Sequence, residues 1–295
     1  MNLLITGASG FLGSNLISII PKNENISVIT SSPEKFKNID FNVNCYSYSD
    51  LYEDKIDFDN IDCVIHCGFT RTSEPDKLAE SINFTSKLVE LSSKSKLKRF
   101  INISSQSVYN PKREVPAKET DKVVPTNLYA MAKYSCEVIV SSLLKNSTIN
   151  HTSIRLASLT GVGFEFRLTD RFVKNVINAK DLSINGNGNQ VISYMDGKLA
   201  AKVLLELIYK EEKLPELLNV GVENSVRLKE VVSTIVDNAR YYNFTPNVEI
   251  VDSDDYMNLS LNVNELKKLV DIDLYWDLNK NINEIFERNT FNNKE

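Results

Sequence analysis

The sequence predicts an α/β fold: a doubly wound parallel sheet followed by a smaller C-terminal α+β lobe. Three observations predict it. Short apolar runs alternate with amphipathic segments through the first 160 residues. A glycine-rich turn joins the first apolar run to the first helical segment. The alternation then loosens beyond Gly161, where helical segments dominate. Regular strand–helix alternation argues for parallel strands covered on both faces.

Taken in order, residues 2–6 read as a buried strand, followed by a glycine turn and a helix to about Ile20, where Pro21 stops it. Further strands fit 26–30, 44–48 and 61–67. A helix fits 77–95, with Leu78, Ile82, Leu88 and Leu91 forming its apolar stripe. A strand at 100–104 and a polar loop at 110–126, carrying Pro111, Pro116 and Pro125, lead to a helix at 128–144 and a strand at 152–156. Beyond Gly161, helices fit 171–179, 199–210, 228–239 and 263–270. The polar tail 289–295 reads as frayed. The organisation expected is a nucleotide-binding domain over 1–160 and a substrate lobe over 161–295, partly interleaved with the last strands of the sheet.

The 295 residues suffice for one large or two modest cores, and a hydrophobic content of 42% with 25% charged is ordinary for a globular protein. A net charge of −5 without a basic cluster gives no electrostatic basis for nucleic-acid binding. No apolar run approaches the roughly 20 residues of a membrane span, and the chain start lacks the pattern of a secretory signal, so a cytoplasmic protein is expected. The cysteines Cys45, Cys63, Cys67 and Cys136 form no C-x-x-C pair. Cys63, His66 and Cys67 lie close together, but strand alternation and the lack of a second ligand pair favour packing over a metal site.

The segment Gly7-Ala8-Ser9-Gly10-Phe11-Leu12-Gly13 sits between the first strand and first helix. Gly7 permits a tight turn, Gly10 lets the backbone approach a pyrophosphate, and Gly13 lets helix and sheet pack closely. Helix N–H groups and the helix dipole attract the anion there. This is the context that dinucleotide binding on a Rossmann fold requires. At the end of the second strand, an acidic residue that would hold the ribose hydroxyls is replaced by Thr30-Ser31-Ser32. Small hydroxyls leave room for a 2′-phosphate, and Lys35 and Lys37 lie nearby in sequence. That tilts the expectation to NADP, with NAD open. The plainer reading makes Ser32-Pro33-Glu34 a helix cap.

Tyr129 and Lys133 stand four residues apart on a predicted helix and so share a face. A free phenol titrates near ~10, and bringing it to about 7 requires roughly 4 kcal/mol of differential stabilisation. A neighbouring cation favours the phenolate. Tyr194/Lys198 and Tyr209/Lys213 have the same spacing, but only Tyr129 follows a strand ending in hydroxyls, Ser104-Ser105-Gln106-Ser107. Parallel sheets bind ligands at such carboxyl ends.

These residues resemble the extended short-chain dehydrogenase/reductases, also called the NAD-dependent epimerase/dehydratase family. The resemblance covers about residues 1–290, strongly to Gly161. It rests on Gly7, Gly10 and Gly13, the strand at 62–66, Asn83, the segment from Phe100 to Tyr109, and Tyr129 with Lys133. Glu137, Arg155, Gly161 and Asn219-Val220-Gly221 add to it. The resemblance implies that Tyr129 is the general acid/base, that Lys133 lowers its pKa and holds the nicotinamide ribose, and that Ser105 bonds the reacting oxygen. It further places Asp50 and Leu51 near adenine, and Phe11, Leu12, Cys67, Gly68, Asn83, Ser104 and Leu156 along the cofactor. A homodimer built on the helices at 77–95 and 128–144 is implied as well.

The resemblance also constrains the reaction. Related dehydratases carry Thr-Asp-Glu where this chain has Ser105-Gln106-Ser107, and GDP-fucose-forming relatives carry cysteine at the place of Ser107. Both chemistries are disfavoured. A keto-sugar reductase is expected first, because net reductions commonly draw on NADPH, with a sugar-nucleotide 4-epimerase as the alternative. A non-catalytic NADP-binding sensor or scaffold is a third reading. Similar enzymes grip the substrate diphosphate with an Arg-Asp pair that Gly186-Asn187-Gly188-Asn189-Gln190-Val191-Ile192-Ser193 lacks, and Ser158 replaces an asparagine. Arg167 or Arg171 is the candidate replacement, and a substrate without a diphosphate stays open.

Overall fold

The computed structural model describes residues 1–37, 43–164, 167–251, 253 and 256–291. In chain order the elements are β1 (Asn2–Thr6), α1 (Phe11–Ile17), β2 (Asn25–Ile29), β3 (Val43–Tyr46), α2 (Tyr48–Tyr52), β4 (Cys63–His66), α3 (Pro75–Ser93), β5 (Arg99–Ser105), α4 (Leu128–Leu144), β6 (Asn150–Leu156) and β7 (Ser158–Thr160). There follow α5 (Leu168–Ile177), β8 (Leu182–Asn185), β9 (Val191–Ile192), β10 (Tyr194–Asp196), α6 (Gly197–Tyr209), β11 (Leu217–Val220), β12 (Val226–Arg227), α7 (Leu228–Tyr241), β13 (Val248–Val251), α8 (Asn264–Lys267) and α9 (Leu278–Phe291).

Seven strands form one sheet in the order β11-β6-β5-β4-β1-β2-β3, all parallel. The order reverses between β1 and β4, which places a crevice at their carboxyl ends. Successive residues of β1 serve opposite faces: Leu3 and Ile5 enter a large core with α1 and α6, while Leu4 enters a second core with Phe84, Leu88 and Val89 of α3. Near-continuous burial along β1, β4, β5 and β6 is what a sheet covered on both sides requires. The seventh strand comes from the second half of the chain, with Leu218 opposite Ile154.

The remaining strands form two-stranded pairs: β7 with β10, β9 with β12 and β8 with β13. α5, α7 and α9 pack on one another, and the Asp170 carboxylate on α5 pairs with Arg288 on α9 at 2.7 Å. α9 lies outside the helices expected from the sequence. It occupies part of the tail expected to fray, and 292–295 lie outside the described residues. The helix expected over 263–270 is a single turn, Asn264–Lys267. Among the described residues no helix is long and apolar enough to cross a membrane.

Arg99 closes the carboxyl end of α6. Its guanidinium, buried at the start of β5, donates to the carbonyl oxygens of Leu207 at 2.7 Å, Ile208 at 3.0 Å and Glu212 at 2.9 Å. The first two are carbonyls that a helix end leaves without intrahelical donors, and the third belongs to the turn that follows. Arg99→Met is expected to leave them unpaired and lower stability by roughly 2–3 kcal/mol. Urea unfolding at neutral pH checks this; an unchanged midpoint would contradict it.

Candidate active site

The turn after β1 is built on glycine for steric reasons. Gly7 has φ of +66°, and a side-chain carbon there would lie 2.6 Å from the Cα of Gly68. At Gly13 such a carbon would collide with the backbone of Gly7 and Ala8. The turns after β1 and β4 therefore touch backbone to backbone, and α1 begins against them. Thr6 Oγ1 fastens the two strands, lying 2.7 Å from His66 Nδ1 and accepting the Gly68 N–H at 3.0 Å.

Over this junction lies a groove of about 550 Å³, whose lining includes Gly7, Ser9, Gly10, Cys67, Gly68, Asn83, Tyr48 and Tyr52. A second cavity of about 200 Å³ shares Cys67 and Phe69 with it. This cavity brings together Ser105, Tyr129 and Lys133, with Phe11, Leu12, Ser104 and Leu156 in its wall. The triad expected from the sequence, the glycine turn and most of the expected cofactor residues thus line two adjoining spaces at the carboxyl ends of the strands.

Several expected residues are placed elsewhere. Leu51 is fully buried in the α3-side core, and the Asp50 carboxylate accepts the Ser47 N–H at 2.7 Å, closing the cap of α2. Tyr48 and Tyr52, one turn apart on the same short helix, face the groove instead. Thr30 is buried, its hydroxyl accepting the Ser32 N–H at 3.0 Å and lying 3.4 Å from Ser9 Oγ. Ser31 and Lys35 are exposed, and Ser32 precedes a single 3₁₀ turn with Pro33 first, but its side chain makes no capping hydrogen bond. None of Thr30, Ser31 and Ser32 lines either space.

α4 is capped by Asn127, whose side chain accepts the Ala130 N–H at 2.9 Å. From its first turns Tyr129 and Lys133 face the end of β5. Lys133 is buried, donates to the Ile103 carbonyl at 2.7 Å, and has its ammonium 4.1 Å from the centre of the Phe69 ring. Burial lowers its pKa to about 8. Tyr129 differs from the sequence expectation. Burial lifts its phenol above the ordinary value, and the groups that draw it back are Arg71, the Ser105 hydroxyl and Arg167 rather than Lys133. Ser105 donates to Ser107 Oγ at 3.0 Å and accepts the Ser107 N–H at 3.1 Å.

Arg71, Phe69 and Phe164 were not singled out from the sequence. The available signal was position: His66-Cys67-Gly68-Phe69-Thr70-Arg71 runs off the carboxyl end of β4, where ligands bind. Of the two arginines named as substrate candidates, Arg167 lines the cavity, while Arg171 is exposed on α5.

Behind the site, Glu137 and Arg155 form a buried pair at 2.8 Å. Ser104 donates to Glu137, and Arg155 donates to the Tyr109 hydroxyl at 3.1 Å. Tyr109 in turn donates to Asn219 on β11 at 2.8 Å. Burial holds the Cys63 and Cys67 thiols up at about 12 and takes His66 down to about 3. The second ring nitrogen of His66 lies 2.9 Å from Thr85 Oγ1, so both nitrogens have hydroxyl neighbours. Among the described residues no cluster of His, Cys, Asp or Glu is arranged to hold a metal.

The fold and this constellation define a class, the extended short-chain dehydrogenase/reductases. More narrowly, the chain belongs to the NAD dependent epimerase/dehydratase family, whose sequence profile matches residues 3–221. It is 24% identical over 91% of its length to a trifunctional UDP-glucose 4,6-dehydratase/UDP-4-keto-6-deoxy-D-glucose 3,5-epimerase/UDP-4-keto-L-rhamnose-reductase of Arabidopsis thaliana, and spans 44% of that protein. It is 28% identical to a UDP-glucose 4-epimerase of Vibrio cholerae over 65% of this chain and 62% of that one. The UDP-glucuronic acid 4-epimerase of Bacillus cereus, solved with UDP-glucuronic acid and NAD, has a similar fold: TM-score 0.81, 19% identity, 97% of this chain and 98% of that one.

Lys133 carries a stability prediction. Its proton leaves at about 8 in the folded protein against 10.5 ordinarily. Between those values unfolding takes up a proton, so stability rises with pH across that window. Lys133→Met is expected to raise the melting temperature at pH 7, where the buried ammonium costs on the order of 1–3 kcal/mol. The gain shrinks as pH climbs from 8 to 10.5. Calorimetry across that range checks it, and a pH-independent difference would contradict it.

Proposed function

We propose that the chain binds NAD in the groove over Gly7, Gly10 and Gly13 and inverts a hydroxyl-bearing carbon of a sugar nucleotide. The observation that supports this best is the adjacency of two spaces that share Cys67 and Phe69, one floored by the glycine turn and one lined by Ser105, Tyr129 and Lys133. The glycine cradle suits a pyrophosphate, because side chains at Gly7 or Gly13 would force its backbone segments apart. Tyr48 and Tyr52 offer aromatic faces at the far end of the groove, where adenine would lie. Bound there, NAD would supply a hydride acceptor for the sugar carbon and, once reduced, the donor that returns it.

The chain's own groups handle the proton and the orientation. As the phenolate, Tyr129 would take the hydroxyl proton during oxidation, and as the resulting phenol it would give it back during reduction. Ser105 would hold the same oxygen, and its hydroxyl draws the phenol back from its burial-raised pKa. Lys133, fixed on the Ile103 carbonyl, supplies a positive charge one helical turn from Tyr129 and would hold the ribose. Gln106 and Ser107 beside Ser105 bring no carboxylate, so water elimination lacks its acid and base. Similarity to NAD-containing epimerase structures supports NAD and inversion. The internal use of the Thr30 hydroxyl removes part of the case for a 2′-phosphate. The missing carboxylate at Thr30-Ser31-Ser32 supports a second reading, NADPH-dependent reduction of a keto sugar.

Incubation of the NAD-loaded protein with UDP-hexoses is expected to give epimer mixtures without net cofactor change. NADPH consumption with keto-sugar nucleotides would favour the reductase, and nucleotide binding without turnover would favour a sensor. Tyr129→Phe is expected to lower kcat by about 10²–10⁴-fold with NAD affinity retained. Unchanged turnover in that variant would contradict the assignment.

A homodimer forms part of the proposal. Met131, Tyr134 and Val138, 53%, 37% and 46% exposed, make an apolar stripe on the outer face of α4. A second copy of α4 would cover it. Val138→Glu is expected to shift sedimentation from dimer to monomer; a wild-type monomer would contradict the dimer.

A further inference from the structure

We propose that Arg71 and Arg167 form an anion site that holds a carboxylate carried on the reacting sugar itself, so that the preferred substrate is an acidic sugar nucleotide. The inference deepens the sugar-nucleotide reading above and rests on it.

Both arginines line the cavity that contains Ser105 and Tyr129. Both stand by one aromatic ring: the guanidinium carbon of Arg167 is 5.0 Å from the centre of Phe164, and that of Arg71 is 5.9 Å from it. Phe11 stacks on Phe164 at 4.8 Å, tying this ring to the start of α1. The Arg167 Nε–H donates to the Leu159 carbonyl, which aims its terminal nitrogens, and its guanidinium lies 5.5 Å from the Tyr194 ring. Arg167 is thus oriented by backbone and two rings, not left as a loose surface cation.

Three buried or partly buried arginines elsewhere are each engaged by the protein's own oxygens. Arg155 has the Glu137 carboxylate, Arg288 has Asp170, and Arg99 has three carbonyl oxygens. Among the described residues, no carboxylate lies within ion-pairing distance of Arg71 or Arg167, and Arg71 makes no hydrogen bond. Two guanidiniums facing one cavity repel each other, and burial together with Arg71 pulls the Arg167 pKa down to about 10. An arrangement that costs stability in the free protein is relieved by an anionic ligand. A guanidinium fork matches a carboxylate edge to edge.

The location decides which anion. Both line the same small cavity as Ser105 and Tyr129, so they sit at the reacting end of the site. A diphosphate is attached at the anomeric carbon, across the ring from the carbon that a 4-epimerase oxidises. A carboxylate on the carbon next to the reacting one falls beside Tyr129. The nucleotide end of the substrate must be held elsewhere, in keeping with the missing Arg-Asp pair after Gly186.

Calorimetric titration of the NAD-loaded protein tests this with UDP, UDP-glucose and UDP-glucuronic acid as probes. The wild type is expected to bind UDP-glucuronic acid at least about tenfold more tightly than UDP-glucose. Arg71→Gln and Arg167→Gln are each expected to erase that preference while changing UDP affinity less than about twofold. Arg71 is exposed, so its variant keeps the test open if the Arg167 variant folds poorly. Equal wild-type affinity for the two sugars overturns the anion site and leaves the proposed function standing. Parallel weakening of UDP makes the diphosphate the anion and overturns the carboxylate assignment. Failure to bind NAD at all overturns both.

Discussion

Glu137 is a carboxylate removed from water at the middle of a helix, and the Arg155 guanidinium makes that placement tolerable. Breaking such a pair by removing one partner leaves a buried charge and costs several kcal/mol, roughly 3–5 in measured cases. Here the pair also fixes geometry. Glu137 belongs to α4, Arg155 to β6, and Ser104, which donates to Glu137, to β5. Three elements are therefore locked at the carboxyl ends of adjacent strands, and Tyr109 extends the lock to Asn219 on the edge strand β11. Tyr129 and Lys133 lie two turns and one turn before Glu137 on the same helix. Their positions relative to Ser105 follow from how this carboxylate is satisfied.

The charges around the reacting hydroxyls divide the work. Lys133 is spent on the Ile103 carbonyl and the face of Phe69, so it is a fixed, desolvated cation and not a mobile donor. The phenol itself is held high by burial, which suits donation of a proton to a developing alkoxide. Arg71 and Arg167 oppose that shift from the other side of the cavity, and an anion bound to them would weaken their pull. Substrate charge and the acidity of Tyr129 are thus linked through two guanidiniums that stack on one ring.

The parts of this design that are local in sequence were legible. The strand, glycine turn and helix at residues 2–17 are contiguous, and the shared face of Tyr129 and Lys133 follows from helical spacing alone. Ser105 was readable because hydroxyls cluster at the end of an apolar strand. What depended on distant pairing was not. β11 lies beside β6 because Leu218 meets Ile154 across the chain, and no local pattern states that. α9 was hidden because Asn279, Asn281 and Asn283 are poor helix formers; packing of Ile282, Ile285 and Phe286 on the lobe core overrides them. Asp50 is placed near adenine by resemblance alone; its use in closing the cap of α2 becomes visible only with the Ser47 contact. Arg71 carries no motif of its own; its meaning appears when the β4 turn is set opposite Phe164.

The central claim is that one carbon of a sugar gives up a hydride in this cavity and recovers the same one. The most direct measurement uses a sugar nucleotide deuterated at that carbon, incubated with the NAD-loaded protein, with the product examined by mass spectrometry. The account predicts an inverted product that keeps its deuterium, because hydride is stored and returned while Tyr129 handles only the hydroxyl proton. Inversion with loss of the label to solvent, or no inversion of any acidic or neutral sugar nucleotide, would contradict it.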